Sequence, residues 1–175
     1  MKKFELTAES KINIFGKKLF RIKALISFGD VEEGETGGWI EKEENLEQSS
    51  GNAWVYGDAE VSGDAEVSGD VRVSGNARVS GDAEVSGNAR VSGNAEVSGD
   101  ADYTTIHGFG TQFRTTTFFQ CEDKQIRVSC GCFLGTIPEF REQVKNTREG
   151  KIAEEYLMIA DLMEKHFVKE KESGE

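Results

Sequence analysis

The sequence predicts a mostly β protein wound as a parallel β-helix, with a β-hairpin cap before the coils and a small α+β head after them. Three observations predict it. Residues 51–104 read as nine six-residue units without insertion: GNAWVY, GDAEVS, GDAEVS, GDVRVS, GNARVS, GDAEVS, GNARVS, GNAEVS and GDADYT. Val recurs every sixth residue from Val55 to Val97, and a Gly-Asp or Gly-Asn pair opens each unit. A fixed short period marks a repeat architecture, because one unit buries its apolar side only against the next. A Gly/Ser-rich flexible linker is the competing reading, and a linker has no reason to keep the Val register.

Each unit is a short strand and a turn. In Ala59-Glu60-Val61 the Ala and Val point one way and the Glu the other, since strand side chains alternate. Ser62-Gly63-Asp64 then turns the chain, because Gly accepts positive φ and Asp bonds its own backbone in turns. In the frame V-[SY]-G-[ND]-[AV]-x the array resembles the hexapeptide repeat of left-handed parallel β-helix proteins, whose triangular coils hold three hexads per turn. That handedness is implied by the resemblance and not by spacing.

Before the array, Lys11–Phe15 and Lys18–Ile22 around Gly16-Lys17 read as a β-hairpin. Gly29–Gly38 is acidic and Gly-rich, hence a loop. Ile40 and Leu46 lie six apart, which starts the β-helix ahead of the regular hexads, with a slip of register at Ser49-Ser50. Residues 1–48 are read as a cap over an open coil end, which is otherwise an aggregation-prone sheet edge. Residues 49–104 form the rod and 105–168 the head. In the head, Thr104–Gly110 is a loop leaving the coils, and Thr115–Phe119 and Gln125–Ser129 form a hairpin. Thr136-Ile137-Pro138-Glu139 starts a helix with a capping box. Ile152, Tyr156, Ile159, Ala160, Met163 and Phe167 have helical spacing. Residues 169–175 are a charged flexible tail.

With three hexads per coil, units three apart share a face. Face one carries Trp54, Arg72 and Arg90; face two Glu60, Arg78 and Glu96; face three Glu66, Glu84 and Asp102. Coils lie about 4.8 Å apart. Face two neutralises itself, whereas face three stacks three acids, which destabilises unless a partner answers them. A closed threefold ring joins unlike surfaces, so Arg72 and Arg90 of one copy meet Glu66, Glu84 and Asp102 of the next in an expected homotrimer. The bland reading makes these charges mere solubility, worth about 0–1 kcal/mol per exposed pair. Trp54 above Arg72 and Arg90 is also the expected ligand-binding surface, an aromatic face beside guanidinium groups that suits a small anionic ligand.

Totals exclude several classes. The 21 basic against 32 acidic residues give a net charge of −11, which disfavours general nucleic-acid or anionic-membrane binding. No apolar run reaches the roughly 18 residues of a membrane span, and Met1-Lys2-Lys3 leads into a mixed strand rather than a signal peptide. Three cysteines, Cys121, Cys130 and Cys132, argue against a disulfide framework and for a reducing cytoplasm. They read as three buried small hydrophobes rather than a metal cluster, and no metal is expected.

The full chain resembles small hexapeptide-repeat proteins of phages and prophages, often labelled transferases on the repeats alone. The resemblance rests on LFRIKAL…FGDVEEGETGGWIEKEENL, the GNAxV units and TTTFF…IRVSCGCFLGTIPEF…EYL. It implies a phage or prophage origin and action in the bacterial host's cytoplasm, and it transfers no catalytic residue. Acyltransferases of the hexapeptide family use a histidine base and acyl-CoA, often beside a loop that leaves the coils. Here His107 is the one weak catalytic candidate, flanked by Gly108 and Gly110, and no loop interrupts the array; His166 suits a helix C-terminus. The sequence therefore favours a non-catalytic, cofactor-free trimeric scaffold that binds a host protein or nucleotide-type signal, with a counter-defence role. The alternatives are an acyl-CoA-dependent acyltransferase and a structural spacer.

Overall fold

The array folds as expected, into a three-sided β-solenoid, in a computed structural model that describes residues 2–168. The charged stretch from residue 169, expected as a tail, lies outside the described residues. β1 (Phe4–Ile12) and β2 (Lys18–Ala24) form the cap hairpin. Asn13 organises its turn: the side-chain oxygen accepts from the N–H groups of Phe15 and Lys17 at 3.0 and 2.9 Å. β3 (Thr36–Ile40) pairs antiparallel with β2 and parallel with β5 (Glu60–Val61). The cap thereby continues one wall of the rod through β8 (Arg78–Val79) and β11 (Glu96–Val97). The coils do begin before the regular hexads. Ile40 aligns with Val61 and Leu46 with Val67, an offset of 21 residues against 18 within the array.

A second wall stacks β4 (Trp54–Val55), β7 (Arg72–Val73) and β10 (Arg90–Val91); the third pairs β6 (Glu66–Val67) with β9 (Glu84–Val85). Backbone bonds hold coil to coil, as from Trp54 N–H to the Val71 carbonyl and Arg72 N–H to the Ala89 carbonyl, both 3.0 Å. Inside, the Ala and Val of successive hexads, from Ala53 and Val55 to Ala95 and Val97, are fully buried. The corner glycines have φ between +59° and +73°. Their turns also stack on one another: a Cβ at Gly69 would stand 2.9 Å from the Gly87 carbonyl oxygen.

The upper end is closed by buried Lys3, whose Nζ donates to the Ala53 carbonyl at 3.3 Å and lies 4.9 Å from the Phe28 ring centre. Burial holds the Lys3 ammonium below its usual pKa, against the attraction of Glu47 and Asp70. The lower end is closed by side chains and by the head. Asp100 accepts the Glu84 N–H at 3.0 Å. The Tyr103 hydroxyl donates to the Glu84 carbonyl at 2.7 Å and accepts from Ser86 N–H at 3.3 Å. Thr117 Oγ1 accepts the Arg90 N–H at 3.0 Å, and Cys121 bridges Ala95.

The head is a four-stranded antiparallel meander: β12 (Tyr103–Phe109), β13 (Arg114–Gln120), β14 (Ile126–Cys130) and β15 (Phe133–Thr136). The expected loop at Thr104–Gly110 is therefore mostly strand β12. It pairs with β13 from Tyr103↔Phe119 to Ile106↔Thr116, and its partial burial left no clean apolar alternation to read. Helices α1 (Ile137–Thr147) and α2 (Gly150–His166) cover one face. Thr136 and Glu139 form the expected capping box, Glu139 Oε2 accepting from Thr136 N–H at 2.7 Å and Thr136 Oγ1 from Glu139 N–H at 3.3 Å. Strand alternation on β13 then joins two cores. Phe118 packs with Phe140, Tyr156 and Met163 in the head, and Phe119 packs with the Val and Ala of the rod.

Two outcomes follow from this packing. Gly57 has φ +59° with open space around its α-carbon, so Gly57→Ala loses only the roughly 1–2 kcal/mol of a left-handed residue; Gly69→Ala loses more in the same denaturant titration, because its Cβ also meets the next coil. Because the Lys3 pKa is depressed, the unfolded chain binds more protons just below pH 10.5, and stability rises with pH through that window. Thermal melts of Lys3→Met across that window are expected to lack this rise.

Candidate functional site

The expected sorting of the outward residues is what the ladder produces. Trp54, Arg72 and Arg90 are in register on one wall, Glu60, Arg78 and Glu96 on the next, and Glu66 and Glu84 on the third. Asp102 departs from it. It lies in a 3-10 turn, Asp100–Asp102, and accepts from the Ser98 N–H and hydroxyl at 2.9 and 2.8 Å. It therefore ends the acidic stack instead of extending it.

The expected stacking surface at Trp54 does not exist on this chain. Trp54 is fully buried, with the rings of Phe28 and Phe4 edge-on at 5.5 and 6.2 Å. Gly37 is needed beside it, since a Cβ there would lie 2.6 Å from Trp54 Cζ2. The cap folds back over the first hexad and converts an outward position into core. Below it Arg72 is taken by Asp30 at 2.9 Å, and Asp30 also accepts from the Tyr56 hydroxyl at 3.2 Å; burial pushes the Tyr56 pKa up to about 12.

The wall of Glu60, Arg78 and Glu96 neutralises itself and draws in both the cap and the head. Lys11 pairs with Glu60 at 2.7 Å, Arg78 with Glu96 at 3.5 Å, and Lys124 with Glu96 at 3.5 Å. On the third wall Glu66 and Glu84 are exposed neighbours with no ion pair among the described residues.

Arg90 and His107, proposed for different roles, come together. They line a cleft of about 510 Å³ between the last rung of the rod and the head, with Asn88, Arg114, Thr115 and Cys132. His107 is exposed, and its Nδ1 lies 3.3 Å from Thr115 Oγ1. The Arg114 guanidinium lies over the β14–β15 turn: a Cβ at Gly131, whose φ is +62°, would stand 2.6 Å from Nη1. Among the described residues no acidic side chain lines this cleft, and neither Arg90 nor Arg114 has an ion pair. Arg114 and Cys132 also border a smaller pocket of about 200 Å³ walled by Phe133, Phe140, Tyr156 and Arg148. A larger groove of about 610 Å³ on the other side is already committed: Asp123 holds Arg127 at 2.6 Å, and Glu139 is spent on its helix cap. Sequence reasoning missed Arg114, Asn88 and Thr115, which carry no motif and become neighbours only through the docking of β13.

The thiols do not behave alike. Cys121 is buried, and burial raises its pKa to about 11, whereas Cys130 is half-buried and Cys132 exposed, so the expectation of three buried cysteines holds only for Cys121. Among the described residues no three His, Cys, Asp or Glu side chains converge as a metal site, and no described helix is long and apolar enough to cross a membrane.

Because Trp54 is core, Trp54→Ala is expected to cost about 3–5 kcal/mol of stability in denaturant titration, as for other buried tryptophans, rather than to remove a ligand from a folded chain.

A family model described as the YdcK beta solenoid repeat matches residues 65–81, 71–87 and 83–99. A search of curated proteins gives no match. The matched stretches lie wholly within the rod whose coils, ladder and buried Ala/Val stack are described above. The chain is a β-solenoid repeat protein with a strand cap and a sheet-and-helix head.

Proposed function

We propose that the chain is a non-catalytic scaffold that acts as a homotrimer and presents its rod and heads to a host protein or nucleotide-type signal. In this reading it is a phage or prophage accessory protein working in the bacterial cytoplasm. The observation that carries the assembly is the exposed Glu66–Glu84 ladder, two like charges on adjacent strands with no ion pair among the described residues. Parallel strands hold such residues about 4.8 Å apart, which destabilises a lone chain. Arg90, exposed on a different wall, supplies the complement, with Arg72 behind its Asp30 partner. A ring that joins these two walls is heterologous, and in this reading it holds three copies. The wall of Glu60, Arg78 and Glu96 is already neutral and suits the outside.

The acyltransferase reading keeps one observation in its favour, the place of His107 in a cleft. It lacks an orienting carboxylate, since the neighbour of Nδ1 is a threonine hydroxyl. Acyl-CoA hydrolysis or transfer abolished by His107→Ala would restore it.

The assembly is tested by sedimentation velocity at micromolar concentration. Wild type is expected as a trimer. Glu66→Lys with Glu84→Lys is expected to dissociate it, and adding Arg72→Glu and Arg90→Glu to restore it. A wild-type monomer overturns the assembly.

A further inference from the structure

We propose that the cleft between rod and head binds a small phosphorylated molecule that carries a planar ring, of the nucleoside phosphate class. The proposal deepens the binding half of the scaffold reading; Arg90, which that reading also offers to the subunit contact, is here given to the ligand together with Arg114.

Charge argues for the phosphate. Arg90 comes from the last rung of the rod and Arg114 from the start of β13, and both face one space with His107. Guanidinium groups present paired donors that match two phosphate oxygens. Thr115 and Asn88 add neutral donors to the same walls. No carboxylate of the described residues lines the cleft, although the chain has 32 acidic residues and 21 basic ones. Elsewhere on the rod, Arg72 and Arg78 each have a carboxylate of their own chain within 4 Å. Two arginines gathered without one repel each other, and an anion relieves that repulsion.

Shape argues for the ring. At about 510 Å³ the cleft exceeds what a bare ion fills, and it falls in the size range of small-molecule sites. Arg114 and Cys132 are shared with the neighbouring pocket of about 200 Å³, whose walls include the rings of Phe133, Phe140 and Tyr156. Gln143 and Arg148 edge that pocket with hydrogen-bonding groups. A phosphate held between Arg90 and Arg114 leaves its attached ring beside these aromatic walls, with Arg114 at the seam.

The test is isothermal titration of the full chain with AMP, UMP, adenosine and inorganic phosphate at low salt. At least one nucleotide is expected to bind with Kd below about 1 mM, and adenosine and phosphate at least about tenfold more weakly than it. Arg114→Gln is expected to weaken the nucleotide about tenfold or more, and His107→Gln to weaken it less. Lys23→Gln, on the distant cap, is expected to change nothing. Should Arg114→Gln misfold on losing its contact with Gly131, Arg90→Gln reads the same site from the rod. Failure of both nucleotides to bind at about 5 mM overturns the proposal, as does binding that Arg114→Gln and Arg90→Gln leave unchanged. Phosphate binding as tightly as AMP overturns the ring. Sedimentation of the wild-type chain beside its titration separates the two readings: a trimer that binds no nucleotide fails only the site, and a nucleotide-binding monomer fails only the assembly.

Discussion

The coil pitch governs this molecule. Each rung bonds its N–H groups to carbonyls 17 residues on, as from Glu60 to Ala77, Glu66 to Ala83 and Arg78 to Ala95, so the chain returns to the same wall after every 18 residues. That repeat leaves no freedom at the outward positions. A residue there stands directly over the one 18 places later, whatever the two charges are, and their energies are set by sequence alone. The same pitch brings corner onto corner, which is why turns such as those at Gly69 and Gly75 demand glycine on two grounds, backbone sign and space. Within residues 51–104 the array keeps that pitch without an insertion. The one departure, the longer offset at Ile40 and Leu46, falls where the cap enters and the neighbouring coil is incomplete.

A ladder of this kind has two raw ends, and the chain treats them differently. At the top, β3 extends one wall, and Phe4, Phe28 and the stem of Lys3 seal the core over Trp54. At the bottom, polar side chains take up the last donors and acceptors one by one: Asp100 and Tyr103 on one wall, Thr117 on another. Unsatisfied strand edges invite further pairing, so these caps fix the length of the rod as well as its stability. β13 then sends Phe119 into the rod and Phe118 into the head. Two cores that share one strand cannot rotate freely, and the walls of the cleft keep a set spacing.

What was legible in the sequence is what the period dictates. The strands, the buried Ala and Val, the three walls and their charge sorting all follow from a six-residue rhythm, and the capping box at Thr136 follows from local chemistry. What was not legible depends on segments that return from far along the chain. Trp54 occupies an outward register position, and only Phe4, Phe28 and Gly37 make it core. Asp102 looks like one more rung, but the hexad GDADYT has lost its Val, and Tyr103 and Asp100 turn it into a stopper. β12 is a strand because β13 pairs with it, not because its own residues alternate. Arg114 sits in a polar stretch after Gly110 with no signature, and its place beside Arg90 is a product of docking.

The distribution of unpaired charge separates structural from functional surface. Several charges of the rod and its cap are settled internally, with Lys11 on Glu60, Arg72 on Asp30, Arg78 on Glu96 and Lys42 on Asp64 at 2.7 Å. Two sets of like charge stand together with no ion pair among the described residues: the Glu66–Glu84 ladder and the arginines of the rod–head cleft. An acid-rich chain has many carboxylates with which to quench Arg90 and Arg114, and a single Asp near Thr115 would do it at little cost. Exposed pairs are worth only about 0–1 kcal/mol each, so stability alone exerts a weak pull on any one of them. Two like-charged sets of opposite sign, each left open on its own wall, are harder to attribute to that weak pull than to partners that answer them. Local choices that run against self-consistency are where function is expected in a chain whose other choices agree with its fold.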